Sequence, residues 1–173
     1  PPVRYAGSPQ GLNPKEDGAH GCWVVSMEGG RVTGEEFVET AAIRWVRETV
    51  DVSGAQSMDD VMSALRRACS DARRSCGDTP LVMRIDVTGR GEAHAMLVHG
   101  TDFEELVAEL RQEQLTGSPW LLLERVRDLT RPQIDVESLL GVEDFTGDLA
   151  RIARDLAADP ARAAGFVNEA LAG

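Results

Sequence analysis

A chain of 173 residues with 42% hydrophobic and 27% charged side chains has the composition of a soluble globular protein, and enough length to bury a core in one ordinary domain or in a small domain plus a piece of another. Its net charge of −11, with Lys15 the sole lysine among 18 basic residues, argues against a stand-alone polyanion binder and leaves room only for a local basic patch. No apolar run approaches the roughly 20 residues that span a bilayer, and the three cysteines, Cys22, Cys69 and Cys76, show no CxxC pair or zinc-like spacing, which argues against a disulfide framework or a structural zinc site and fits a reducing cytoplasm.

The chain opens on a Gly-, Pro- and Asn-rich loop with no initiator Met, signal peptide or transit-peptide composition, so its start reads as an internal point of something longer. Residues 22–28 (CWVVSME) are rich in strand formers, Gly29 and Gly30 supply a turn, and residues 35–40 return as a second strand, giving a hairpin. Residues 42–52 read as a half-buried strand with Ile43, Trp45, Arg47, Val50 and Val52 on one face and Arg44, Val46 and Glu48 on the other. Ser57 and Asp60 form a capping box, after which Val61, Leu65, Ala68 and Cys69 recur at helical spacing through about Arg74.

Residues 81–89, fenced by Pro80 and Gly89, predict a central strand ending in a Gly-Arg-Gly turn; residues 93–98 are too short to assign. Thr101 with Glu104 predicts a second capping box, and Phe103, Leu106, Val107 and Leu110 an apolar helix face over 101–114. Residues 120–130 predict a strand. Beyond Pro132 the pattern turns helical, with Leu149, Ile152, Ala153 and Leu156 at i, i+3, i+4, i+7; Pro160 breaks it, and Phe166, Val167, Ala170 and Leu171 mark a last helix. The expected fold class is α+β: an N-terminal hairpin (1–41), a β-α-β-α-β module (42–133) and a C-terminal helical segment (134–173).

The residues alone disclose no catalytic centre. His20, His94 and His99 lie in no HxH, HExxH or DxH pattern, and read as solvent-facing or hydrogen-bonded structural histidines. A nucleophilic cysteine is disfavoured because Cys69 lies on an apolar helix face and Cys22 enters a strand. Ser8 lacks the GxSxG elbow, AGSPQG lacks the GK[ST] of a phosphate-binding loop, and acidic pairs such as Asp59/Asp60 and Glu104/Glu105 sit where helix starts favour them.

The stretch YAGSPQGLNPKEDGAHGCWVV resembles the segment after the last metal-binding motif of calcineurin-like metallophosphoesterases, most closely the DNA-repair exonucleases of the SbcD type. Tyr5, Gly7, Ser8, Gln10, Gly11, Lys15, Glu16, Gly18 and Gly21 fall on that pattern, and His20 stands where Lys is more usual. Downstream, AIRWVRETVDVSG, MRIDVTGRGEAH and PWLLLERVRDLTRP are similar to the family's C-terminal capping region. The resemblance implies a two-metal, usually manganese-dependent phosphodiester hydrolase whose ligands lie outside this chain, in which a metal-bound water attacks phosphorus. It implies that the hairpin completes a phosphoesterase sandwich missing here, and that Ser8, Gln10, Lys15 and Arg90 face DNA. It further implies that Leu149, Ile152 and Leu156 dock on an SbcC-type ABC ATPase at its coiled coil. The exposed hairpin edge invites pairing with a second copy, as a homodimer. The competing expectations are a structural or protein-interaction module of a degenerate phosphoesterase and, more weakly, a small-molecule phosphoesterase.

Overall fold

The computed structural model describes residues 7–100 and 103–172, with the side chains of 166 and 168–172 outside that description. Tyr5 and Thr101 lie outside the described residues, as do the side chains of Phe166, Ala170 and Leu171. The chain divides into two compact units, Pro1–Gln133 and Ile134–Gly173.

The first unit begins with a hairpin of β1 (Gly21–Glu28) and β2 (Arg31–Glu39), paired antiparallel as a separate two-stranded sheet. Gly29 and Gly30 join the strands with φ of 56° and 76°, the two left-handed positions that a tight hairpin turn requires and that glycine adopts without steric cost. Because that turn uses only two residues, β2 starts at Arg31, four residues before the expected start at 35. Trp23 faces Phe37 across the ladder with ring centroids 5.5 Å apart. Both faces of the hairpin carry apolar side chains open to solvent, Val25 and Phe37 on one and Val24 and Val38 on the other.

β3 (Arg44–Asp51), β4 (Leu81–Thr88) and β5 (Leu121–Asp128) form a parallel sheet in the order β3-β4-β5. Parallel neighbours need crossovers. These are α1 (Met58–Cys76) between β3 and β4, and α2 (Glu92–His99) with α3 (Phe103–Leu115) between β4 and β5. Residues 93–98, unassigned from sequence, are thus helical; at eight residues α2 is too brief for periodicity to reveal. Ser57 and Asp60 cap α1 reciprocally as expected. Leu65, Cys69, Leu81, Met83, Ile85, Leu110, Leu121 and Leu123 are inaccessible to solvent, so the three helices cover one face of the sheet and form the core with it.

One face assignment from sequence is corrected by the register. Val46 pairs with Met83 and Val50 with Val87, so both point into the core, whereas Trp45 and Arg47 stand on the opposite face with Val82 and Arg84. The reason is parity: side chains alternate strictly along a strand, so Trp45 and Val50, an odd number of residues apart, cannot share a face.

The second unit consists of α4 (Val136–Leu140), α5 (Phe145–Ala158) and α6 (Pro160–Ala172). Asp144 caps α5 by accepting from the Gly147 N–H at 2.9 Å, and Arg151 donates to the Leu140 carbonyl at 2.8 Å, tying α5 to the end of α4. Leu149 and Ile152 remain about half exposed, Ala153 is exposed and Leu156 is half-buried, so the α5 stripe stays largely uncovered within its unit.

Candidate functional site

The opening loop is a set of local turns pinned to the start of β3. Ser8 Oγ donates to the Gln10 carbonyl at 2.7 Å, and the Lys15 N–H donates to Asn13 Oδ1 at 2.9 Å, leaving the Lys15 ammonium exposed. Gln10 is a clamp: its Nε2 donates to the carbonyls of Gly11 and Ile43, both at 2.8 Å, while its Oε1 accepts from the Ala42 N–H at 2.8 Å. Its amide is fully engaged with backbone, which makes Gln10 the least available of the sequence-selected side chains. His20 is held between two carbonyls, with Nδ1 3.1 Å from the Ser8 oxygen and Nε2 3.1 Å from the Glu16 oxygen.

Arg90 lies elsewhere, at the C-terminal edge of the sheet. Its backbone N–H donates to Ser53 Oγ at 3.2 Å and its Nη1 to the Pro132 carbonyl at 3.2 Å. Gly89 ahead of it has φ of 126°, and a Cβ there would lie 2.7 Å from the Ser53 nitrogen, so only glycine fits. Two of the strands end in matching turns at this edge: Asp51 Oδ1 accepts from Ser53 N–H at 2.8 Å and Oγ at 2.6 Å, and Asp128 Oδ1 accepts from Thr130 N–H at 2.8 Å and Oγ1 at 2.6 Å. The Ser53 hydroxyl holds the Asp51 carboxyl below its ordinary range. His94 Nδ1 sits 3.0 Å from Thr130 Oγ1; that hydroxyl spends its proton on Asp128, so it is the imidazole that donates. Ser8, Gln10 and Lys15 share one loop, and Arg90 does not join them.

Sequence reasoning missed a densely charged surface of the unit, the sheet face turned away from the core. Arg47, Arg84 and Arg125 are register partners on β3, β4 and β5, and Thr49, Asp86 and Arg127 form the next row. A shallow pocket of about 370 Å3 lies over them, lined as well by Asp17 and by the Glu48 position of β3. Placement depends on one irregularity: the β4–β5 register shifts between Met83 and Arg84, so that Leu123 pairs with Met83 but Arg125 pairs with Arg84. The extra residue, Glu124, reverses the inward and outward alternation of everything after it. Without it Arg125 and Arg127 would follow Leu121 and Leu123 into the core; with it Val126 turns inward and packs on the core instead.

Two ion pairs organise the face. Arg127 meets Asp86 fork to fork, and Arg84 grips Glu124 through both Nε and Nη2. The hydrogen bond from Arg127 holds the Asp86 carboxyl below its usual range, and that from Arg84 does the same for Glu124; both guanidiniums are shifted upward in return. Arg47 and Arg125 make no hydrogen bond or ion pair through their side chains among the described residues. The signal available in sequence was Arg125-Val126-Arg127 within an apolar strand, which strict alternation would have buried as two charges.

Among the described residues no group of three or more His, Cys, Asp or Glu side chains comes together that could hold a metal ion, and no helix is long and apolar enough to cross a membrane. Cys22, Cys69 and Cys76 are all unbridged, with Cys69 buried on the core side of α1. Residues 45–131, half of the chain, match the family described as the metallophosphoesterase YhaO middle domain. That span runs from the second residue of β3 to Arg131, which bridges to Arg90, and so covers the parallel α/β module. No curated protein matches the chain, and no solved structure does.

Proposed function

The chain belongs to the family of the metallophosphoesterase YhaO middle domain, and from that premise we propose that it is the cap and partner-docking part of a DNA-repair exonuclease of the SbcD type. The observation that carries the reading is the family match across β3–β5, in a module whose described residues bring no metal-binding group together. A metallophosphoesterase needs metal ions, and the described residues do not fit them, so the ligands are assigned to another part of the same protein, with manganese as the expected ion. Phosphodiester chemistry then belongs to that part. This chain shapes access to it.

DNA as the substrate is supported by the resemblance of the loop around Ser8, Gln10 and Lys15, with Arg90 assigned to face DNA from the sheet edge. The ATPase partner is supported by the apolar stripe of Leu149, Ile152 and Leu156, which is largely uncovered within its own unit. The hairpin, whose two apolar faces are open, is assigned to a larger phosphoesterase sandwich, since two strands alone are marginal in water. Three unbridged thiols fit a reducing cytoplasm.

The test is hydrolysis by the complete protein containing this chain, on oligonucleotides and on bis(4-nitrophenyl) phosphate, with and without manganese. Manganese-dependent cleavage of both substrates, with none from the 173-residue chain alone, is the expected result. Manganese-dependent cleavage by the chain itself, abolished by substitutions within it, would overturn the assignment of catalysis elsewhere. Cleavage of the small diester without cleavage of DNA would remove the repair reading.

A further inference from the structure

We propose that the open face of the parallel sheet binds the phosphate backbone of a nucleic-acid strand, with Arg47 and Arg125 as its principal contacts and Arg84 between them. The proposal rests on the reading that the complete protein acts on DNA, and it assigns that contact to a surface the loop resemblance does not include.

Three arginines in register on adjacent strands place like charges directly opposite one another, an arrangement that costs stability unless it is neutralised. The face neutralises it only in part. Glu124 hydrogen-bonds Arg84 and Asp86 hydrogen-bonds Arg127, and these two acids act on Arg125, and Asp86 on Arg47, only through the weaker attraction of unpaired charges. Arg47 and Arg125 are left at the two flanks, exposed, with all of their guanidinium donors unengaged among the described residues. They stand two strand spacings apart, roughly 10 Å, a separation that two long side chains can close onto neighbouring phosphates of one strand. A planar guanidinium presents paired N–H groups matched to phosphate oxygens.

The choice of a polymeric anion follows from the rest of the pocket. Asp17 lines it without pairing to an arginine among the described residues, and its charge weakens the capture of a lone anion. A strand that offers several phosphates can engage both flanks at once and so offset that repulsion. The chain's net charge of −11 does not prevent this, since fields from distant charges are screened beyond about 8 Å at physiological ionic strength. The bulge at Glu124 supports the assignment from the folding side: it delivers one of the two unengaged guanidiniums to the open face, at the cost of a regular ladder.

The test measures binding of labelled single- and double-stranded oligonucleotides to the 173-residue chain over a salt series. The variants are Arg47→Gln with Arg125→Gln, the matching double lysine variant, and Arg67→Gln on the exposed side of α1 as a control. The double glutamine variant is expected to bind more weakly and to lower the slope of log affinity against log salt by about one per arginine removed. The lysine variant should keep most of the slope, and Arg67→Gln all of it. In the complete protein the glutamine variant should raise KM for the oligonucleotide, leave kcat unchanged and leave hydrolysis of bis(4-nitrophenyl) phosphate untouched. Absence of oligonucleotide binding by the wild-type chain at low salt overturns the proposal. So does an unchanged slope in the glutamine variant, which leaves the DNA reading standing if the complete protein still cleaves oligonucleotides. Failure of the complete protein to cleave DNA at all, with the small diester still hydrolysed, removes the reading beneath it.

Discussion

Arg127 on β5 and Asp86 on β4 form a two-point pair across the open face of the sheet, Nε to Oδ1 at 3.1 Å and Nη2 to Oδ2 at 2.9 Å. The pair exists because the bulge at Glu124 turned Arg127 outward, and it carries a pH dependence. The Asp86 and Glu124 carboxyls are held below their ordinary range by their arginine partners. A depressed folded-state pKa adds stability that is complete above the unfolded value, near 4 for carboxylates, and is lost as pH falls through the folded value. Stability to urea is therefore expected to fall with acidification below about pH 4.5, and Asp86→Asn with Glu124→Gln should flatten that fall. An unchanged acid limb in the double variant would show that these pairs are not coupled to folding.

Capping of α1 gives a second expectation. Ser57 Oγ accepts from the Asp60 N–H at 3.2 Å, and Asp60 Oδ2 accepts from the Ser57 N–H at 2.9 Å. Ser57→Ala should cost about 1 kcal/mol, the usual loss for an N-cap, seen as a lower urea midpoint with an unchanged m value. Asp60→Ala should cost a similar amount. An unaltered midpoint in both would mean that water replaces the cap without loss.

The cysteines should separate by burial. Desolvation pushes the Cys69 thiol up to about 11, whereas Cys22 is exposed. At pH 8 roughly one Cys69 in a thousand would be thiolate, so iodoacetamide should label Cys22 readily and Cys69 only after denaturation. Mass spectrometry of the labelled peptides reads this directly. Early labelling of Cys69 would mean that α1 opens from the sheet.

Gln10 should behave as a structural residue. Its amide bridges the opening loop to Ala42 and Ile43, so Gln10→Ala leaves the part-buried Gly11 and Ile43 carbonyls unpaired, at a cost of about 1–3 kcal/mol. The expected sign is faster hydrogen exchange at Ala42 with little change in the β4 amides. Protection at Ala42 equal to that of the wild type would show that water or another group takes over the clamp.

The α5 stripe offers a stability contrast with the core. Leu149 and Ile152 are 54% and 49% exposed, so Leu149→Asp with Ile152→Asp should leave the cooperative thermal transition in place, each change falling within about 0.5 kcal/mol. Leu65→Ala, at a site with no solvent access, should cost about 2–5 kcal/mol. A coil-only spectrum for the aspartate variant would show that the stripe is core and remove it as a docking surface.

Apart from α2, which was too short to assign, the sequence by itself determined the main elements and their order. The Gly29-Gly30 turn, the capping box at Ser57 and Asp60, the apolar face of α3 and the apolar stripe of α5 are local patterns, each written within one or two turns of chain, and local patterns are what periodicity reads. The resemblance in the later strands reached the metallophosphoesterase family for the same reason, through short runs in a fixed order. Tertiary structure alone decided which side chains meet. Arg47, Arg84 and Arg125 are far apart in sequence and become one row only because β3, β4 and β5 pair in that register, and a single extra residue at Glu124 decides whether Arg125 and Arg127 face the core or the open side. Register is set by the burial of Met83, Leu123 and Val126 against helices from elsewhere in the chain. Their contacts are non-local, and no window of sequence contains both partners.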